Sequence, residues 1–264
     1  MSFEVLSGSG IYLDHNATTP PAVGLKSVVT EVLEYWGNPS SIHWAGHKPK
    51  ILMREAREKL AKLLEVHPME LVFTSGGTEA NNQALRGLYL QAQEDSPERR
   101  RVVVSAVEHP SVLKTAEVLH SMGADLQIVP VSREGKLDLS VFEELLKTPV
   151  ALVSVMYANN ETGHIFPIKK MAKMARAAGA MFHTDCVQTL GKLPLNLGQL
   201  DVDMATFSGH KFYGLKGAGL LYCRRGVRWK TQITGGAQER GRRAGTENLL
   251  SIVSMGHMVE ALSS

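Results

Sequence analysis

Seven short apolar runs, ELVFT, RVVVS, DLQIVPV, VALVSVM, AMFHTD, DMATF and AGLLYC, recur between residues 70 and 223 of this chain. Most are continuously apolar rather than alternating, which is how strands covered on both faces of a parallel sheet read. Between them fall helical patterns over 77–92, 110–122, 138–147 and 167–178, the third introduced by KLDLS and the fourth with Pro167 in its first turn. Upstream, KILMREAREKLAKLLEV sets Ile51, Leu52, Ala56, Leu60, Leu63 and Leu64 near helical spacing. Strand and helix in alternation predict an α/β protein, a three-layer α/β/α arrangement around a mostly parallel sheet.

The 264 residues suit one large domain, or one and a half small ones. Hydrophobic residues at 44% and charged ones at 21% supply an ordinary core, and 24 glycines point to many tight turns. A net charge of +3 is too small for a nucleic-acid-binding surface. Basic residues cluster twice, at Arg224, Arg225, Arg228 and Lys230, read as solvated surface, and at Arg240, Arg242 and Arg243. Two cysteines give no disulfide framework, the first residues lack a signal-peptide pattern, and no apolar run reaches the ~18 residues of a membrane span. The expectation is a cytoplasmic protein without membrane or nucleic-acid partners.

In open α/β sheets ligands bind beyond the carboxyl ends of the strands, so the polar tails of the runs matter most. ELVFT leads through Ser75, Gly76, Gly77 and Thr78 into a helical pattern, and free N–H groups there make a cradle for phosphate. An ordinary capped helix start reads the same way. A nucleotide P-loop is excluded, because the nearest match, GHKFYGLK, has Leu215 where the lysine belongs and is followed by a strand. SAVEHPSV puts Glu108 and His109 at one strand end, and MYANNETG puts Asn159, Asn160 and Glu161 at another. Asp185 ends an apolar strand, where a carboxylate asks for a cation, either a protonated ring nitrogen or a nearby Lys or Arg. His183 and Cys186 have no second ligand cluster at metal spacing, so no metal is expected. In SGHKFYGLKG, Ser208 and His210 flank Lys211, and a lysine desolvated beside a phosphate becomes a nucleophile. A phosphate cradle, an acid for a ring nitrogen, a flat partner in His109 and a Schiff-base lysine are the requirements of pyridoxal phosphate.

Eight motifs in order, YLDHNATTP, WGNPSSIHWAG, FTSGGTEANN, VEHPSV, NNETG, HTDCVQ, SGHKFYG and GGAQERGRRAGTEN, resemble the NifS-like cysteine desulfurases and selenocysteine lyases, class V of the fold-type I pyridoxal-phosphate enzymes. The resemblance implies a fold-type I transferase large domain over 21–264, preceded by an arm, residues 1–20, that packs with a small domain in relatives. It implies that Lys211 carries pyridoxal 5'-phosphate, Asp185 holds the ring nitrogen protonated, Gln188 bonds the phenolic oxygen and His109 stacks on the ring. Gly77, Thr78, Ser208 and His210 would bind the phosphate, and Asn160 would help position the substrate carboxylate. Thr246 would reach the phosphate of a neighbouring subunit, which implies a homodimer and gives the second basic cluster a role. Lys216 falls to an ordinary turn charge.

The implied reaction takes sulfur from L-cysteine, or selenium from L-selenocysteine, and leaves L-alanine, with a sulfur-acceptor or scaffold protein as partner and iron-sulfur cluster assembly as setting. Relatives carry the sulfur-accepting cysteine and a substrate-clamping arginine in a carboxy-terminal small domain, and neither has a counterpart before Ser264. A truncated form, inactive or weakly active in sulfur transfer, is therefore expected. Cys186 follows Asp185 on the same strand and is expected to face away from it; nothing around Cys223 signals activation. Another class V reaction, transamination or β-elimination, and a non-catalytic scaffold are the alternatives.

Overall fold

The computed structural model describes residues 3–6, 8 and 10–263. Met1, Ser2, Ser7 and Ser9 of the expected arm, and Ser264 of the expected large domain, lie outside the described residues. Each apolar run gives rise to one strand, the sixth reaching one residue past DMATF: β1 (Leu71–Thr74), β2 (Arg101–Ser105), β3 (Asp125–Val129), β4 (Val150–Ser154), β5 (Met181–Asp185), β6 (Met204–Ser208) and β7 (Gly219–Cys223). They form one sheet in the order β1-β7-β6-β5-β4-β2-β3. Strand β7 alone runs against its neighbours, β6 and β1; the other pairings are parallel. The reason is the link over 209–218, which holds only a 3-10 turn at Gly209–Lys211 and is too short to carry the chain back for a parallel return.

Helices α1 (Leu25–Leu33), α2 (Trp44–Leu64), α3 (Gly77–Asp95), α4 (Pro110–Ser121), α5 (Leu139–Leu145), α6 (Ile168–Ala177), α7 (Leu197–Leu200) and α8 (Leu249–Ser263) complete the layers. Alternate side chains of a strand enter opposite layers. Leu71 and Phe73 join a core with Leu60, Leu64 and Met255, whereas Val72 joins Ala84, Leu85 and Leu88 on the other face. Helix α8 lies close on α2 because Gly256 meets Ala56: a Cβ on Gly256 would come 2.7 Å from the Ala56 Cα. Helix α5 is capped by Asp138, whose carboxylate accepts from the Ser140 and Val141 N–H groups. Pro167 occupies the cap position just before α6 rather than its first turn. Helices α1, α7 and α8 lie outside the predicted helical patterns.

Strand β1 is a sheet edge, and the segment 235–247 is anchored to it. The Glu239 carboxylate is buried, accepts from both terminal nitrogens of Arg57 and takes the Phe73 N–H at 2.8 Å. Arg57, Arg240 and Arg242 all donate to the Leu71 carbonyl, and the Arg57 guanidinium lies 4.4 Å over the Phe73 ring. Arg240 and Arg242 of the second basic cluster thus help cover an edge carbonyl that would otherwise be open to another strand. In the first cluster Arg224 pairs with the buried Asp203, while Arg228 and Lys230 pair with Asp95 and Glu94 nearer the surface.

Strand β2 connects through α4 to β3 on one side, while β4 lies on its other side, so the connections diverge between β2 and β4. Such a divergence opens a crevice at the carboxyl ends. Glu108, after β2, closes its base by accepting the Met156 N–H, after β4, at 2.7 Å.

Candidate active site

The carboxyl ends of β2, β4, β5 and β6, the start of α3 and part of the amino-terminal arm enclose a cavity of about 520 Å³. Gly77, Thr78, His109, Asn160, Asp185, Gln188, Ser208, His210 and Lys211, all singled out from sequence, line it together. Thr246 is exposed and does not line this chain's cavity. Asp14, Asn16, Ala17, Asn81 and Ser111 also line it without having been predicted.

The wall formed by α3 is an anion cradle. Its N-cap residue, Gly76, supplies no side-chain cap, so the first N–H groups of a long helix face the cavity unsatisfied. The close fit requires glycine next: a Cβ on Gly77 would come 2.9 Å from Val187 Cγ2. Ser75 N–H is taken by the Glu79 carboxylate, which Arg243 also grips at 2.9 and 3.1 Å. Arg243 therefore ties the segment carrying Thr246 to the base of the cradle.

Asp185 sits opposite, buried at the end of β5. Its Oδ2 accepts from Asn81 Nδ2 at 2.7 Å and its Oδ1 from Val187 N–H at 2.9 Å. Burial holds its pKa above the usual carboxylate range, against the opposing pull of the two hydrogen bonds, His109 and Lys211. Neither carboxylate oxygen forms a hydrogen bond or ion pair with a cation among the described residues, which leaves room for a ligand cation. Below it His183 is neutral, pushed down to about 3 by burial, and pinned between Ser154 and Thr206 across three adjacent strands.

Lys211 ends the 3-10 turn after β6, and its Nζ donates to the Asn16 and Ala17 carbonyls, the latter at 2.7 Å. Desolvation lowers its pKa against the opposing pull of Asp185 and Asp14. The Asn16 carbonyl accepts from Gln188 Nε2 as well, and Asn16 Nδ2 donates to the Asn160 carbonyl. Desolvation, with Lys211 and Lys216 adding repulsion, pushes His210 down to about 4. Its Nδ1 lies 2.9 Å from Thr18 Oγ1. Backbone carbonyls of the arm thus complete the lysine's surroundings, a contribution that side-chain motifs do not reveal.

An anion cradle, an acid without a cation and a partly desolvated amine around one cavity fit a phosphorylated aromatic aldehyde with a basic ring nitrogen. Fold and cavity together define a pyridoxal-phosphate-binding enzyme domain. The description "Aminotransferase class-V" matches residues 11–264. The chain is 46% identical over 254 residues to a cysteine desulfurase of a Nostoc species, covering 96% of this chain and 62% of the relative. It is 45% identical to the cysteine desulfurase NifS of Azotobacter vinelandii, covering 95% and 62%. A solved structure titled a NifS-like protein superposes with a TM-score of 0.91 at 38% identity, covering 96% of this chain and 69% of that one. Another, titled SspA in complex with cysteine, gives 0.90 at 34% identity, covering 95% and 72%. The chain belongs to the class V aminotransferase family, among its NifS-like members. It spans about 62% of the length of these curated relatives.

Proposed function

We propose that this chain contributes the cofactor half of a cysteine desulfurase, taking sulfur from L-cysteine, or selenium from L-selenocysteine, and leaving L-alanine. The observation that carries the reading is Lys211 and Asp185 converging with the α3 cradle on one cavity. The similarity to proteins named cysteine desulfurase and to a structure titled as a complex with cysteine supports the substrate.

Lys211 would hold the cofactor's aldehyde carbon, Asp185 its ring nitrogen, Gln188 its phenolic oxygen and His109 its ring face. Gly77, Thr78, Ser208 and His210 would hold the phosphate, with Thr246 reaching it from a neighbouring copy in a homodimer. When bound, pyridoxal phosphate supplies an electron sink for the bonds to the substrate's α-carbon. Asp185, as a carboxylate, holds a proton at the ring nitrogen. Lys211 Nζ, its proton affinity reduced by desolvation, takes the α-proton as a general base. Asn160 orients the substrate carboxylate, and the arm closes over Lys211.

Sulfur needs an acceptor. Cys186 and Cys223 are buried, burial pushes each thiol up to about 12, and neither lines the cavity. The acceptor thiol therefore comes from outside residues 1–264, and this chain alone transfers sulfur weakly or not at all. The same burial favours a second reading, β-elimination, which needs no enzyme thiol. Borohydride reduction in the presence of pyridoxal phosphate, followed by peptide mapping, is expected to label Lys211. A label on Lys216, or none, would overturn the reading; sulfide with pyruvate instead of alanine would select β-elimination.

A further inference from the structure

Asn81 lies a little over one turn into α3, buried, with its side chain at the cavity wall. Its amide nitrogen carries two hydrogens and uses both. One goes to Asp185 Oδ2 at 2.7 Å, the other to Ser111 Oγ at 2.8 Å. An ionised carboxylate only accepts, so Asp185 fixes which way the Asn81 amide faces. The opposite flip would set two oxygens against each other. The buried Asn81 Oδ1 has no hydrogen-bond partner, so no rival contact dictates the orientation.

The direction of donation then propagates. Ser111 Oγ, having accepted from Asn81, lies 2.7 Å from His109 Nδ1. The same Nδ1 accepts the Ser111 backbone N–H at 3.1 Å, which makes the His109 ring the cap of α4. A nitrogen that accepts an N–H cannot carry its own proton on that lone pair. Ser111 therefore donates its hydroxyl hydrogen to Nδ1, and the neutral ring holds its proton on Nε2.

We propose that Asn81 and Ser111 are positioning residues that join His109 to Asp185 in one hydrogen-bond chain and hold the His109 ring in its Nε2-protonated tautomer. The chain couples the two cavity groups expected to touch the cofactor's ring face and ring nitrogen. A change at one end is felt at the other through two side chains whose hydrogen bonds go to neither the cradle nor Lys211. The inference rests on the cofactor reading above, but its consequence belongs to the protein's own atoms. The charged and titratable groups facing Asp185 are His109, Lys211, Glu108 and Cys186, and all four stay in place in the Asn81 and Ser111 variants below.

Nitrogen-15 NMR of the histidine rings tests the chain in cofactor-free protein. The His109 signals are assigned by their loss in His109→Gln. At pH 7 they are expected to show an unprotonated Nδ1 and a protonated Nε2. Ser111→Ala and Asn81→Ala keep the backbone N–H at Nδ1, at 3.1 Å the longer of its two contacts, but lose or loosen the hydroxyl at 2.7 Å; both signals should therefore move part of the way toward an average of the two tautomers, and Ser111→Thr should restore them. Lys114→Ala, on the exposed side of α4, should leave them unchanged. In carbon-13-labelled protein, Asn81→Ala should also raise the Asp185 carboxyl titration midpoint by about one pH unit, the loss of one charge-assisted bond. Should Asn81→Ala not fold, Ser111→Ala, which removes a single oxygen, keeps the test. A proton on His109 Nδ1 in the unaltered protein, or unchanged His109 signals in both Ala variants, overturns the proposal. Borohydride labelling of Lys211 on the same samples separates that outcome from failure of the cofactor reading.

Discussion

Replacing Glu108 with glutamine isolates the charge of a carboxyl buried beneath the proposed active site. Glu108 accepts from the Ser105 hydroxyl and from Met156 N–H, and its Oε2 has no partner. Burial, helped by nearby Asp185 and opposed by the two hydrogen bonds, pushes it from 4.5 up to about 8. The folded protein thus holds a proton on Glu108 that the unfolded chain releases above about 4.5. Wherever the folded state binds the extra proton, stability falls as pH rises, by about 1.4 kcal/mol per unit. The contribution is complete below about 4.5 and is lost by about 8, a total near 5 kcal/mol. Glutamine keeps the acceptor oxygen and has nothing to ionise. Urea denaturation of both proteins at half-unit steps from pH 5 to 9 measures the difference curve. The variant should gain on the unaltered protein with rising pH and level off near the upper value. Parallel curves across that range would refute the neutral buried acid.

Glu239→Ala leaves the Arg57 guanidinium buried without its partner, a loss of about 3–5 kcal/mol. For a chain of 264 residues that corresponds to a Tm lowered by roughly 5–9 °C, read by calorimetry; a change under about 2 °C would contradict it. Both thiols should stay unreactive toward a disulfide reagent in native protein at pH 8, since burial pushes each up to about 12, and both should react once denatured. Rapid labelling of native Cys186 or Cys223 would reopen the case for an internal sulfur acceptor.

The strands were legible because a strand covered on both faces carries a short, mostly apolar run, as Val150–Ser154 and Met204–Ser208 do. Helix α8 was not, for a related reason. Packed against both α1 and α2, it buries Ile252, Met255 and Met258 together with Ser251 and Ser254, so no single apolar stripe marks it. Within the cavity, groups that act through side chains, such as Asp185 and Lys211, left clear traces at strand ends. Asn16 and Ala17 stood in a quoted motif, YLDHNATTP, but nothing marked them as partners of Lys211, because they meet it through carbonyl oxygens that every residue possesses. Asn81 and Ser111 lay in plain view within quoted motifs, but their contact spans two helices, and only the packing of α3 on α4 brings them together. Thr246, whose proposed place is in a neighbouring copy, does not line this chain's cavity.

The arm that caps Lys211 also sets a clock. Lys211 Nζ meets Asn16 and Ala17 across separations of 195 and 194 residues. At a synthesis rate of about 5–20 residues per second, the arm leaves the ribosome roughly 10–40 s before the amine it covers exists. It has no docking site until β6 has joined the sheet and the turn behind it has formed. A segment made early is thus among the last to settle, and the closed cavity becomes a property that only a chain translated through residue 211 can possess.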